Sequence, residues 1–250
     1  MRFSANLGFL WADQPLPQAI HSAAQAGFDA VECHWPYDTP AQDVRAALTA
    51  TGLPMLGLNT RRGDGSFGLS ALPHKVPEAR AAIDEAITYA DAIDARSIHV
   101  MAGMADGADA RATFVENLRY ASHATRRTLL IEPLNAHDAP GYFLNTSQQA
   151  LDLISEVAAP NVKLMFDCYH VQRSEGDVIT RLRAALPQIG HIQFAGAPHR
   201  GDPAQSELDY RFVFNEIRRL GYPAPLGAEY KPNGATETSL GWMSTLSDDT

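Results

Sequence analysis

Short apolar runs alternate with longer amphipathic stretches along the whole chain. The runs at 3–6, 30–32, 55–59, 97–101, 129–132, 162–167, 191–194 and 226–229 predict eight strands. Between them, apolar residues recur at offsets of three and four. In residues 75–93 the set Ala79, Ala82, Ile83, Ala86, Ile87, Ala90 and Ile93 makes one helical stripe. Phe114, Leu118 and Ala121 repeat it, as do Ala150, Leu151, Ile154 and Val157. Thr146 with Gln149 three residues later is a capping-box signature that opens the latter helix. Phe214, Ile217 and Leu220 form another stripe, which Gly221 ends.

Eight strands alternating with helices predict parallel βαβ units. An open doubly wound sheet would carry a glycine-rich dinucleotide loop after its first strand, and "LGFLWADQPLP" has none. The count favours a closed α/β barrel, a single (β/α)8 TIM barrel over residues 1–250, with 243–250 as a frayed tail. The loop at 60–74 is long and glycine-rich, either a lid or a plain connection.

The net charge of −9 argues against nucleic acid and anionic membrane as partners. A small anionic substrate remains compatible if cations gather locally. The 2 cysteines, Cys33 and Cys168, cannot form a disulfide framework and fit a reducing compartment. With no apolar run near the ~20 residues of a membrane span, the expectation is a soluble, cytoplasmic protein. Oligomeric state is open, a homo-oligomer included.

Candidate chemistry lies at the ends of the late strands. Strand five stops at Glu132, six at Asp167, seven near Gln193 and eight at Glu229. Parallel barrel strands all end at one rim, where active sites sit. Three carboxylates sharing a small site would take up protons unless a cation neutralises them. Such an oxygen set suits Mg²⁺ or Mn²⁺. Against this stands the reading that each acid caps the following helix or pairs with an arginine. His170, three residues beyond Asp167, is a candidate donor to a substrate oxygen. His191 and Gln193 face the same side of their strand, so either one is a candidate to face the metal. His199 and Arg200 put positive charge on a rim loop, where Arg suits a carboxylate. Lys231 adds a second cation or pairs with an acid. His34 beside Cys33 is a weak metal signal, and Phe9, Trp11 and Trp35 either line a pocket or simply pack.

The strings "RFSANLGFL", "GFDAVECHWPYD", "FVENLRYA", "LLIEPLN", "FDCYHVQRSEGD", "GHIQFAGAPHRGDP" and "GAEYKP" together resemble the hydroxypyruvate isomerases, within the xylose-isomerase-like barrels. The resemblance implies a divalent metal held by Glu132, Asp167, Gln193 and Glu229, with Glu132 and Glu229 also as acid and base. It implies His170 and Arg200 as substrate contacts. The implied activity is an aldose–ketose type isomerisation of a small 2-oxo-hydroxy acid, hydroxypyruvate to tartronate semialdehyde foremost, by enediolate proton transfer. Alternatives using the same site are a 2-oxo-tetronate isomerase and a ketose 3-epimerase. More distant ones are a metal-dependent nuclease, which needs a basic face, and a non-catalytic sugar-acid-binding barrel. Sugar isomerases of the wider group usually carry His where Gln193 stands.

Overall fold

The computed structural model describes residues 1–63 and 67–247. Eight strands alternate with helices: β1 (Phe3–Asn6), α1 (Leu16–Gln25), β2 (Ala30–Glu32), α2 (Ala41–Thr51), β3 (Gly57–Asn59), α3 (Val76–Ile93), β4 (Ser97–His99) and α4 (Gly107–Ala124) form the first half. The second half comprises β5 (Thr128–Ile131), α5 (Ser147–Val157), β6 (Val162–Asp167), α6 (Cys168–Ser174), α7 (Val178–Ala185), β7 (Ile189–Phe194), α8 (Tyr210–Arg219), β8 (Leu226–Ala228) and α9 (Trp242–Ser247).

The strands pair in parallel in the order β2-β1-β8-β7-β6-β5-β4-β3. Closure between β2 and β3 is irregular. It rests on one bridge, Val31 to Met55, with Val31 N–H donating to Pro54 O at 3.0 Å and Cys33 N–H to Gly57 O at 3.0 Å. The predicted barrel is the observed architecture.

Alternation along the strands sorts the side chains. In β6 and β7, Phe166, Ile192 and Phe194 join the hydrophobic core, while Met165, His191 and Gln193 line a cavity inside the barrel. Thr146 caps α5 as its sequence signature predicts, accepting from Gln149 N–H at 3.2 Å. Gly221 follows α8 at φ 73°, a conformation that suits glycine.

Differences from the sequence pattern have local causes. The strand predicted to reach residue 101 ends at His99, because Met101 N–H turns to Thr60 Oγ1 at 3.1 Å. The expected frayed stretch from 243 begins inside α9. There Trp242 packs on Phe3 at 4.9 Å between ring centroids, and its indole N–H donates to Tyr230 Oη at 3.0 Å. Residues 248–250, and 64–66 of the long rim loop, lie outside the described residues. Among the described residues, no helix is long and apolar enough to cross a membrane.

Candidate active site

Strand geometry brings the four polar strand ends to one rim. Asp167 and Gln193 are register partners across β6 and β7. Glu132 follows the last residue of β5, and Glu229 follows β8, its N–H still donating to Phe194 O at 3.0 Å. All four side chains are buried. One ligand atom each from Glu132, Asp167 and His170 lie within 4.8 Å of one another.

Asp167 serves two purposes. Its Oδ1 caps α6 by accepting from Tyr169 N–H at 2.8 Å, so the helix-capping reading holds for that oxygen. Its Oδ2 is buried without a hydrogen-bond partner among the described residues, as are Glu132 Oε1 and Gln193 Oε1. Buried acceptors are rarely left in that state. Burial raises Glu132 well above the usual carboxylate range, and the charges of Glu229 and Asp167 add to it. Burial also raises Asp167, to about 7, with Arg200 opposing. For Glu229 the opposite side wins. Burial would raise it, but the Arg200 guanidinium and the His34 hydrogen bond hold it down at about 2.

His170 enters the cluster as a donor. Its Nδ1 accepts from the Asn135 backbone N–H at 3.0 Å, so that nitrogen carries no proton. Burial, with Arg200 adding to it, depresses the imidazole to about 3, keeping it neutral. The single ring proton therefore sits on Nε2, which lies 3.7 Å from Asp167 Oδ2 and 3.9 Å from Glu132 Oε1. A protonated nitrogen cannot ligate a metal, so His170 is a hydrogen-bond donor beside the oxygen set.

Arg200 stands on a rim turn at φ 56° and reaches inward. Its Nη2 pairs with Glu229 Oε2 and lies 3.6 Å from Asp167 Oδ2, and its Nε donates to Glu229 O at 3.3 Å. The guanidinium is stacked over Phe9 and Tyr169 at 4.9 and 5.3 Å. The expectation that His199 and Lys231 assist it is not met in this arrangement. Both are exposed, because adjacent residues of the turn diverge, and among the described residues no hydrogen bond or ion pair ties either side chain to the cluster. Lys231 instead supports Arg200 through its backbone, N–H to Arg200 O at 2.7 Å.

His191, two residues before Gln193 on β7, lies with Nε2 at 2.5 Å from Glu32 Oε2. His34 is drawn into the site, with Nε2 at 2.9 Å from Glu229 Oε1. Phe9 and Trp35 pack against its ring at 5.3 and 5.0 Å, so these two line the rim. Trp11 is ordinary packing: it is buried against Phe28, with its indole N–H on Glu237.

Three participants escaped the sequence reading. Asn6 Nδ2 donates to Glu229 Oε1 at 2.8 Å. His99, at the end of β4, lies 3.6 Å from Glu132 Oε2, and burial depresses it to about 3. Asn135 fixes His170. The usable signal for the last was present in "EPLN", a polar residue soon after a strand-end acid.

The residues fit a divalent cation. Three unpartnered buried oxygens from three successive strands face a charge deficit that burial makes costly. Glu132, Gln193 and Glu229 also line the small cavity inside the barrel together with Glu32 and His191, and Asp167 is not among its lining residues.

A family profile described as Xylose isomerase-like TIM barrel matches residues 20–246. The chain is 42% identical to the 2-oxo-tetronate isomerase of Cupriavidus necator, covering 97% of each. It is 37% identical to the hydroxypyruvate isomerase of Escherichia coli K12, covering 97% of this chain and 98% of that one. The crystal structure of AP endonuclease, family 2, from Brucella melitensis superposes with a TM-score of 0.94 at 35% identity, covering 99% of each chain.

Proposed function

The chain belongs to the xylose isomerase-like TIM barrel family, and from that premise we propose a divalent-metal-dependent isomerase of a small 2-oxo-hydroxy acid, hydroxypyruvate to tartronate semialdehyde foremost. The observation that carries the reading is the set of buried, unpartnered oxygens of Glu132, Asp167 and Gln193 beside Glu229. These four residues would hold Mg²⁺ or Mn²⁺ through oxygen, as hard cations prefer. When bound, the cation supplies Lewis acidity that stabilises negative charge developing on the substrate's carbonyl and neighbouring hydroxyl oxygens.

The chain's own groups do the rest. Glu132 and Glu229, from β5 and β8, handle the carbon-bound proton: one removes it at C3 and the other delivers one at C2. Meanwhile the hydroxyl proton passes from O3 to O2, so the carbonyl moves from C2 to C3. His170 holds a substrate oxygen through Nε2–H. Arg200 has Nη1 without a partner among the described residues, and that edge of the guanidinium meets the substrate carboxylate. The rings of Phe9 and Trp35, packed on His34, restrict water at the rim.

A second reading, 2-oxo-tetronate as substrate, is favoured by the higher identity to the Cupriavidus relative. An endonuclease, the name carried by the Brucella relative, would need a basic face, and a net charge of −9 weighs against it. The test is an NMR assay in D₂O with Mn²⁺, offering hydroxypyruvate, a 2-oxo-tetronate and a ketose. The proposal expects a shift of carbonyl position with one deuterium incorporated in an oxo acid. Turnover of the ketose alone, or deuterium exchange with the carbonyl left in place, would replace it with an epimerase.

A further inference from the structure

Among the buried carboxylates, Glu32 lies beside the site yet has no task in the proposed chemistry. Glu32 ends β2, in register with Asn6 of β1. Its Oε1 accepts from Gln193 Nε2 at 3.0 Å and from Asn6 Nδ2 at 3.2 Å, and its Oε2 meets His191 Nε2. A buried carboxylate persists only with such partners. The contacts with Gln193 and His191 reach across two strands, since β1 and β8 separate β2 from β7.

Gly227 of β8 opens the lane. A Cβ there would lie 2.5 Å from Glu32 Oε1, 2.8 Å from Gln193 Cγ and 2.9 Å from His191 Nε2. Its φ is outside the left-handed region, so close approach, not backbone shape, explains the missing side chain. A carboxylate accepts hydrogen bonds and donates none. Facing Glu32, the Gln193 amide must turn its NH₂ toward that residue. The carbonyl Oε1 is then turned away from Glu32, buried and without a hydrogen-bond partner among the described residues. The same carboxylate steadies Asn6, whose Nδ2 is shared with Glu229.

We propose that Glu32 is a positioning residue for the cation site, locking the Gln193 amide so that its oxygen, not its NH₂, stands beside Glu132, Asp167 and Glu229. The inference rests on the metal-dependent reading above. A side chain that lacks this lock presents NH₂ part of the time, and NH₂ repels a cation. Outer partners of metal ligands typically change affinity by about 10–100-fold.

The test is calorimetric titration of the metal-stripped, full-length chain with Mn²⁺, for wild type, Glu32→Gln, Gln193→Ala and the double variant. The expected result is affinity lowered about tenfold or more in Glu32→Gln, with the metal-free melting temperature little changed. In the Gln193→Ala background the Glu32 substitution should cost nothing further, because the amide it orients is gone. Where Glu32→Gln fails to fold, Glu32→Asp, which keeps the charge and shortens the reach, is expected to show the same loss. Wild-type affinity in the Glu32 variant, or losses that multiply in the double variant, would overturn the positioning role while leaving the metal reading intact. A wild-type chain that binds no Mn²⁺ overturns both.

Discussion

The two halves of the barrel rim do different work. Strands β5–β8 contribute the carboxylates of Glu132, Asp167 and Glu229 and the amide of Gln193, whose oxygens are unpartnered or, in Glu229, paired with Arg200. Strands β1, β2 and β4 contribute Asn6, Glu32 and His99, and His34 follows β2. Asn6 and His34 hydrogen-bond to Glu229, and His99, kept neutral by burial, lies 3.6 Å from Glu132. The fourth, Glu32, receives hydrogen bonds from Gln193 and Asn6. On the proposed reading the late half would carry the reaction and the early half would orient its groups. The seam of the barrel lies in the early half, between β2 and β3, where pairing is limited to one bridge and its flanking hydrogen bonds.

Substitutions can break that contrast. Replacing either proton-handling acid, as Glu132→Gln or Glu229→Gln, is expected to lower kcat by about 10²–10⁴-fold, read by NMR conversion of the oxo acid, with the fold checked by circular dichroism. Next in size is a pH effect confined to the late half. Asp167 is raised to about 7 and Glu132 is raised further above its ordinary range, so the metal-free site holds protons in mildly acidic solution. Those protons must leave when a cation enters. Mn²⁺ affinity should therefore rise as pH increases toward neutrality and fall about tenfold per pH unit below 7 for each proton displaced, measured by calorimetry across that range.

The early half should respond more weakly. Asn6→Ala removes one donor from the ionised Glu229, and a loss of about tenfold in kcat/KM corresponds to the ~1.5 kcal/mol at the lower end for a hydrogen bond to a charged group. The smallest effects belong outside the cluster. His199→Ala and Lys231→Ala should stay within about twofold of wild type in kcat/KM, because both side chains are exposed.

The same contrast explains what the sequence made legible. Glu132, Asp167 and Glu229 each interrupt an apolar run with a charge, a pattern visible without any structure. The helix stripes and the Thr146 cap are equally local. Asn6, Glu32 and His99 close strands of only three or four residues, where a polar residue looks like any strand end. Their partners lie across the barrel, as with Asn6 and Glu229, 223 positions apart. Nothing in the spacing of a linear chain encodes that distance. His199 and Lys231 fail for the converse reason: they neighbour Arg200 and Glu229 in sequence, yet a turn sends them to solvent while their neighbours reach inward.

On the proposed reading, four side chains far apart along the chain would gather their oxygens around one cation at the barrel mouth. The most direct measurement is a crystal structure of the Mn²⁺-soaked protein with anomalous data. The expected result is a single peak bonded to oxygens of Glu132, Asp167, Gln193 and Glu229, with Arg200 drawn off Glu229 Oε2. A peak bound by His170 or His191 in place of Gln193, or no peak at this rim at saturating Mn²⁺, would contradict it.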